Sequence, residues 1–290
     1  MRILILGITG MLGSTAFRLL SRRGNGAVFG TARHEAARRW FPDIADDRIL
    51  AGIDAGQPAR LAAAIEKVRA DVVINAIGII KQVDGALDPL TAIPVNAELP
   101  HRLAVFCREA GARLIHISTD CVFSGRTGGY REDDPPDAAD LYGLSKYLGE
   151  VDQPHALTLR TSIIGPELAT QHGLVEWFLA QRSRVPGFAD AVFSGLTSAE
   201  LTRVIADCVI PRPDLHGLYN VAAAPITKHD LLDLIRVEYR HPVTVDRVAE
   251  PVIDRSLNGA RFRAATGYVA PVWPAMIRQM RMLDQRDHSI

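Results

Sequence analysis

The chain opens with a short apolar segment, a glycine loop and a helical pattern, and this order strongly restricts the fold. Residues 3–6 are apolar, and residues 11–23 have helical periodicity. Glycines allow a tight turn and a close approach of the backbone to a pyrophosphate, while the helix N-terminus offers free N–H groups and partial positive charge. A plain strand-to-helix turn is the alternative. In this context the sequence predicts a dinucleotide-binding loop at Gly7, Thr9, Gly10, Met11, Leu12 and Gly13.

The first half of the chain repeats this alternation of strand and helix. Short apolar segments separated by helical patterns are typical of a parallel sheet covered on both faces. We assign such segments to residues 27–32, 48–53, 71–76, 113–117 and 156–161. After Gly165 the alternation of strand and helix patterns becomes less regular. The sequence therefore predicts an α/β fold, with a Rossmann-type doubly wound parallel sheet in residues 1–165 and a smaller substrate-binding lobe in residues 166–290, some of whose segments return to the first domain. We also expect two irregular stretches, residues 123–136 and 186–195, to act as lids.

Composition excludes several classes of protein. Lys plus Arg and Asp plus Glu both number 33, so the chain lacks the basic excess of a nucleic-acid binder. Three scattered cysteines are too few for a disulfide framework, which favours a reducing compartment. The apolar start of the chain is too short for a signal sequence or a membrane span. We expect a cytoplasmic protein without membrane or nucleic-acid partners, and no spacing of residues indicates a metal site.

Three polar residues predict reduction of a carbonyl group. Tyr142 and Lys146 are four residues apart, so they share one face of a helix, and a nearby ammonium lowers the pKa of a phenol. Tyr142 would then protonate a carbonyl oxygen, and Lys146 would hold the nicotinamide ribose. Thr119 follows the fifth strand, at the edge of the sheet where ligands bind, and its hydroxyl would bond the substrate carbonyl. Ser118 is the alternative hydroxyl, but alternation along a strand allows only one of the two to serve.

The segment after the second strand favours NADPH over NADH. An acidic residue at this tip would bind the ribose hydroxyls of NADH, but the sequence has Arg33, which matches a 2′-phosphate. His34 and Arg38 would add to this charge. Further expected cofactor contacts follow the third and fourth strands, at Asp54, Asn75, Ala76 and Ile77, together with Tyr142 and Lys146.

These segments resemble the extended short-chain dehydrogenase/reductases, and within them the dTDP-4-dehydrorhamnose reductase family. The similar stretches are residues 7–13, 115–125, 141–150 and 159–161, and the similarity weakens in the C-terminal lobe. The resemblance implies NADPH-dependent reduction of a 4-keto group on a nucleotide-linked 6-deoxy sugar, in the synthesis of bacterial cell-surface polysaccharides. It implies Thr119, Tyr142 and Lys146 as the catalytic residues.

One departure from the family pattern leaves an alternative open. The family commonly has an aromatic residue where this chain has Cys121, and a cysteine there is similar to the GDP-fucose synthase branch, which epimerises before it reduces. His172 lies in a comparable stretch, so Cys121 and His172 would exchange protons beside the ketone. A buried Cys121 and a surface His172 are the simpler interpretation. A third alternative is a cofactor-binding regulatory subunit without turnover, against which the intact catalytic residues argue.

The substrate is expected to be a nucleotide sugar, and its pyrophosphate calls for basic side chains from the C-terminal lobe. Arg255 and Arg261 are the candidates. The full predicted substrate side consists of Ser118, Asp120, Cys121, His172, Asn220, Arg255 and Arg261. The sequence leaves open whether the nucleotide is dTDP, UDP or GDP, and it leaves open whether the protein forms a homodimer.

Overall fold

The structure is a computed structural model, which describes residues 1–24, 26–81 and 88–284. Its strands are short. They are β1 (Arg2–Leu6), β2 (Ala27–Thr31), β3 (Ile49–Leu50), β4 (Val72–Asn75), β5 (Arg113–Thr119), β6 (Ala156–Thr161), β7 (Ile163–Ile164), β8 (Arg184–Phe188), β9 (Ala191–Phe193), β10 (Leu196–Thr197), β11 (Gly217–Asn220), β12 (Ile226–Thr227), β13 (Thr244–Val248) and β14 (Ile253–Asp254).

The α-helices alternate with the strands of the first half and cluster in the second. They are α1 (Met11–Arg23), α2 (Pro58–Val68), α3 (Pro89–Ile93), α4 (Leu99–Ala110), α5 (Leu141–Leu148), α6 (Leu174–Ala180), α7 (Ser198–Val204), α8 (Lys228–Glu238), α9 (Ala260–Thr266) and α10 (Trp273–Leu283). A π-helical turn, Pro94–Glu98, separates α3 from α4, and a second one, Ile205–Val209, follows α7.

Within the described residues, seven strands form one parallel sheet in the order β11-β6-β5-β4-β1-β2-β3. The chain runs outward from β1 to β3, then crosses to β4 and runs outward in the opposite direction. A ligand crevice is expected at the carboxyl ends of the strands where this direction reverses, between β1 and β4. The predicted α/β fold with a doubly wound parallel sheet is confirmed.

Both faces of the sheet are buried because alternate residues of each strand point to opposite sides. In β1, Ile3 and Ile5 belong to a large core that also contains Phe17 of α1. Leu4 and Leu6 belong to a second core, with residues of α2 and α4. The sheet is therefore a rigid middle layer, and the loops at its carboxyl edge carry the polar side chains described below.

Tertiary pairing changes several predicted elements. The fifth strand extends to Thr119, two residues beyond the predicted end at residue 117. Helix α4 begins at Leu99, directly after the π-helical turn. The central sheet also receives β11, which comes from the C-terminal half of the chain and pairs with β6.

The two predicted lids are held in place by backbone pairing. Residues 186–195 were expected to be irregular, but β8 pairs with β13, and β9 pairs with β12 and β14. In residues 123–136, the backbone of Tyr130 is hydrogen-bonded to the segment that follows β14. Its N–H donates to the carbonyl of Ser256, and its carbonyl accepts from the N–H of Asn258. Residues 186–195 are therefore not irregular, and sequence reasoning missed these strands because their partners are distant in sequence. The lid role of the two stretches stays a prediction.

Helices long and apolar enough to cross a membrane are absent from the part of the chain that the structure describes.

Candidate active site

The glycine loop has the geometry that the sequence predicts. Gly7 has a φ of +83°, which favours glycine, and its N–H donates to the Thr31 hydroxyl at 3.1 Å. A Cβ on Gly13 would overlap the carbonyl oxygen of Gly7, so only glycine lets α1 pack this closely against the loop. The loop therefore places the N-terminus of α1 at the edge of the sheet, beside β1.

The N-terminus of α1 is available to a ligand anion. Gly10 is its N-cap residue and has no side chain to accept from the first N–H groups of the helix. Thr9 and Gly10 are exposed, whereas the Leu12 side chain belongs to the core. Ile77 lies against Gly7, and Ala76 lies near Gly10. The structure thus brings the predicted cofactor residues of the loop together with Ala76 and Ile77.

Of the predicted 2′-phosphate residues, Arg33 and His34 are exposed directly after β2. Arg38 is engaged within the protein. It donates to the Glu35 carboxylate at 2.7 Å and to the carbonyls of Asp46 and Ile49. The expectation that Arg38 joins the cofactor site is therefore wrong in this structure.

Two other predicted cofactor residues have structural roles. The Asp54 carboxylate accepts from the N–H of Gly56 at 2.7 Å, which stabilises the turn after β3. Asn75 is fully buried; its amide nitrogen contacts Nδ1 of His116 at 3.1 Å, and its amide oxygen accepts from the N–H of Ile77. The Asn75 side chain does not face the cofactor crevice, contrary to the prediction, and acts instead by orienting the loop after β4.

The end of β5 separates the two candidate hydroxyl groups. Thr119 lies close to the Tyr142 phenol, and its hydroxyl accepts from the N–H of Cys121 at 3.1 Å. Ser118 points the other way and donates to the Glu150 carboxylate at 2.7 Å. The prediction of Ser118 on the substrate side is wrong. Side chains alternate between the two faces of a strand, so Ser118 points to the face opposite Thr119, into a buried polar network.

Helix α5 presents Tyr142 and Lys146 to this edge. Asp140 caps the helix by accepting from the N–H of Gly143, and a Cβ on Gly143 would overlap the carbonyl oxygen of Cys121. Glycine at this position lets α5 pack directly on the turn after β5. Lys146 is 5% exposed, and its ammonium donates to the carbonyl of Ile117 at 2.7 Å.

The electrostatics of the pair differ from the expectation. Burial raises the pKa of Tyr142, and the neighbouring Cys121 and Asp120 raise it further. Burial lowers the pKa of Lys146 to about 8, against a smaller opposing effect of Glu150. The predicted lowering of the Tyr142 pKa is not found, because burial disfavours the charged phenolate and is the largest effect on this group.

Asp120 and Cys121 directly follow Thr119 in the turn after β5. Asp120 is 4% exposed and accepts from the Thr119 hydroxyl at 3.2 Å, and burial raises the pKa of its carboxyl group. Burial also raises the pKa of the Cys121 thiol to about 11. The structure holds His172 by its backbone N–H, which donates to Glu167, and leaves its ring exposed. A protonated thiol and a separate surface imidazole give the epimerising pair no support.

The substrate lobe contributes fewer of the predicted residues than expected. Asn220 is fully buried and donates to the Tyr130 carbonyl at 2.9 Å, so it holds a loop instead of facing a ligand. Arg255 lies near Asp120 and Cys121, and its Nε donates to the Phe123 carbonyl at 2.9 Å. Arg261 is exposed and pairs with Asp133 at 3.5 Å.

Several supporting residues were missed by sequence reasoning. Glu150 and Arg160 form a buried ion pair at 2.6 Å, and Glu150 also accepts from Ser118. Asn96 in the π-helical turn holds both backbone groups of Ile79, the residue two positions before Lys81. Lys81 pairs with Asp140 at 2.6 Å, and its ammonium lies 5.5 Å from the centre of the Tyr142 ring. No pattern of neighbouring residues could have identified these partners, because the pairs are 10, 17 and 59 positions apart along the chain.

Comparisons with known proteins agree with this architecture. The chain is 36% identical to a dTDP-4-dehydrorhamnose reductase of Streptomyces griseus over 150 residues, 51% of this chain and 43% of that protein. It is 33% identical to the probable low-salt glycan biosynthesis reductase Agl14 of Haloferax volcanii over 198 residues, 64% of this chain and 63% of that protein. The aligned part of the chain is thus less than two thirds of the length of these two relatives.

A solved structure extends the similarity of fold over nearly the whole chain. The dTDP-4-dehydrorhamnose reductase of Bacillus anthracis, solved in complex with NADP, superposes with a TM-score of 0.79 at 21% identity and covers 97% of this chain and 98% of that one. At this identity the superposition speaks for the fold alone. Residues 1–252 match the family described as the RmlD substrate binding domain, and the chain therefore belongs to this family.

Proposed function

We propose that this protein is an NADPH-dependent oxidoreductase that reduces the 4-keto group of a nucleotide-linked 6-deoxy sugar. One observation carries the proposal: the side chains of Thr119 and Tyr142 lie close together at the carboxyl edge of β5, with Lys146 on the same helix as Tyr142. The names of the relatives, dTDP-4-dehydrorhamnose reductase and glycan biosynthesis reductase, support the same substrate class. The activity belongs to the synthesis of deoxysugars for polysaccharides.

The raised pKa of Tyr142 suits the reductive direction. A phenol with a raised pKa is protonated throughout the neutral range, so Tyr142 has a proton to give to the carbonyl oxygen. Thr119 binds the same oxygen and fixes its position between the two hydroxyls. Lys146, on the same helix as Tyr142, adds a positive charge that stabilises the developing oxyanion. When bound, NADPH supplies the hydride to the carbonyl carbon.

The residues around α1 fit a dinucleotide phosphate. The uncapped N-terminus of α1 offers N–H groups to the pyrophosphate, and the overlap that a Cβ on Gly13 would cause shows how closely the loop packs. Exposed Arg33 is free to bind a 2′-phosphate beyond the end of β2. The NADP bound by the relative from Bacillus anthracis supports this assignment. We include Asp54 as a candidate for the adenine end of the site.

Replacing Arg33 by Ser should weaken the preference for NADPH. Loss of a charge-assisted contact to phosphate costs about 1.5–3 kcal/mol, which corresponds to roughly a 10- to 100-fold rise in the KM for NADPH. The KM for NADH should stay constant, because NADH has no 2′-phosphate. Steady-state kinetics with both cofactors measure the effect. An equal loss for NADPH and NADH would show that Arg33 acts on a part of the cofactor that the two share.

The pH dependence of kcat/KM should report the protonation state of Lys146. Its pKa is lowered to about 8, so the ammonium is present below this value and is lost as the pH rises through it. The Tyr142 proton stays in place over the same range because its pKa is raised. We expect kcat/KM for reduction to be level below about pH 8 and to fall above it. The Lys146→Met variant should lack this step; a step of the same size in that variant would assign it to another group.

The wider assignment rests on the same site. We propose that residues 1–165 bind the cofactor and residues 166–290 bind the nucleotide sugar, with Arg255 and Arg261 as candidates for its phosphates, while β11 returns to the central sheet. We also propose a cytoplasmic location, where the free cysteines would stay reduced. The test is NADPH oxidation with a panel of dTDP-, UDP- and GDP-linked 4-keto-6-deoxy sugars. Absence of turnover with all of them would reject the proposed function.

A further inference from the structure

One cation from outside the catalytic helix lies against the ring of Tyr142. Lys81 belongs to the loop after β4, and its ammonium lies 5.5 Å from the centre of that ring. The same ammonium donates to the Asp140 carboxylate at 2.6 Å, across 59 positions of the chain. A cation within about 6 Å of the centre of an aromatic ring is attracted by its π electrons. Lys81 is therefore held by two partners, one directly before α5 and one in its first turn.

The loop that carries Lys81 is tied to α5 at a second point. Asn96 accepts from the N–H of Ile79 at 2.9 Å and donates to the carbonyl of Ile79 at 3.0 Å. The amide nitrogen of Asn96 also lies 3.3 Å from the hydroxyl of Ser145 in α5. Asn96 is 1% exposed, so water does not compete for these bonds. The backbone two residues before Lys81 is thus fixed relative to the helix.

Asp140 binds the helix and the cation at the same time. One carboxylate oxygen accepts from the N–H of Gly143 at 2.9 Å and caps α5, while the other accepts from Lys81. Burial opposes the ionisation of Asp140, but the bonds from Lys81 and from the Gly143 N–H hold the pKa of this carboxyl group below its usual value. The carboxylate therefore stays ionised in the neutral range, and the ion pair is kept.

The position of Tyr142 depends on this end of the helix. Helix α5 has eight residues, and Tyr142 is the second of them. The first N–H groups of a helix have no partner within it, so the first turn relies on its cap. The other end is held independently, because Lys146 is buried and donates to the Ile117 carbonyl at 2.7 Å. The contacts of Asp140 and Lys81 therefore restrain the turn that carries Tyr142.

On the basis of the proposed function, we propose that Lys81 is a positioning residue, which acts with Asp140 to hold the ring of Tyr142 beside Thr119. A proton donor must lie within hydrogen-bond reach of the oxygen that it protonates, so a small shift of the ring slows the chemical step. The charge of Lys81 is paired with that of Asp140, and the pair acts through the geometry of the ring. Lys81 then contributes to kcat and leaves the binding of NADPH and of the sugar nucleotide unchanged.

Single-turnover reduction tests this role. With saturating NADPH and a 4-keto-6-deoxy sugar nucleotide, Lys81→Met should lower the rate constant by about 10- to 100-fold, the loss expected from a misplaced reacting group. The steady-state KM for the sugar nucleotide and the affinity for NADPH should stay constant. Lys81→Arg should restore most of the rate, because a guanidinium also pairs with a carboxylate and lies over an aromatic ring. In a Tyr142→Phe background, Lys81→Met should cause no further loss, since the hydroxyl that Lys81 positions is already absent.

A spectroscopic measurement tests the position of the ring without turnover. Tyrosine labelled with ¹³C at Cζ is incorporated into the full-length protein, and the NMR signal of Tyr142 is assigned by its loss in Tyr142→Phe. We expect Lys81→Met to shift this signal. Arg102→Met is the matched control, because Arg102 is an exposed cation paired with Glu98 and its removal changes the net charge equally. This variant should keep the wild-type signal and the wild-type rate.

Asp140→Asn is the second variant should Lys81→Met fail to fold, as judged by its melting temperature. Asparagine also caps helices, so this substitution removes the ion pair and keeps an acceptor for the Gly143 N–H. It should slow the reduction and shift the Tyr142 signal in the same way as Lys81→Met.

Several outcomes would overturn the inference. Lys81→Met would reduce the substrate at the normal rate; its effect would be as large in the Tyr142→Phe background as in the wild type; or its loss would appear only in the KM or in the affinity for NADPH. The NMR measurement separates this inference from the proposed function. Absence of turnover in the wild type would reject the reduction, whereas a Tyr142 signal unchanged in Lys81→Met would reject the positioning role by itself.

Discussion

Replacing Tyr142 by Phe should lower kcat by about 10²- to 10⁴-fold, the usual contribution of a positioned general acid. The ring would stay beside Lys81, so the packing of α5 would be kept, and only the hydroxyl near Thr119 would be lost. NADPH affinity should change little. Single-turnover reduction with saturating NADPH and a 4-keto-6-deoxy sugar nucleotide measures the loss at the chemical step.

Tyr147→Phe is a suitable control for this variant. Tyr147 lies on the same helix but is 42% exposed, so removal of its hydroxyl should leave kcat unchanged. A Tyr142→Phe variant that reduced the substrate at the normal rate would exclude Tyr142 as the proton donor. Loss of rate together with loss of NADPH binding would indicate a structural role for the hydroxyl instead.

Replacing Glu150 by Ala should cost about 3–5 kcal/mol in the free energy of unfolding, because it leaves a buried guanidinium without its counter-ion. Arg160 is 2% exposed and donates to both carboxylate oxygens of Glu150, at 2.7 and 2.6 Å. Ser118 would lose its acceptor at the same time. Denaturant unfolding, followed by circular dichroism, measures the change.

The matched comparison is an exposed ion pair of the same kind. Glu98 pairs with Arg102, and both side chains are about half exposed, at 49% and 51%. Glu98→Ala should therefore cost less than about 1 kcal/mol. Equal effects of the two substitutions would show that burial of the Glu150–Arg160 pair adds nothing to its importance for stability.

Local signals accounted for most of the fold. The glycine loop, the helix α1 and the strand β6 were predicted with the bounds that the structure has, because each depends on residues that are close in sequence. Such local signals could not predict the pairing of β11 with β6. Its Gly-Leu-Tyr-Asn sequence becomes a strand only where the edge of the sheet is free to accept it.

The candidate site divides in the same way. The spacing of Tyr142 and Lys146 placed both on one helix face, and the position of Thr119 after an apolar strand placed it at the ligand edge. Sequence alone could not show that Ser118, Asn75 and Asn220 would each form an internal hydrogen bond. Their partners are distant along the chain, at Glu150, His116 and Tyr130, and only folding brings these residues into contact.

The amino-acid order by itself determined the alternation of strands and helices, the glycine loop and the spacing of the reactive side chains, since these depend on steric rules that act over a few residues. Tertiary structure alone decided which polar groups lost their water. That loss raises the pKa of Tyr142 and lowers that of Lys146 to about 8. Hydration is a property of the whole packed molecule, and no short segment specifies it.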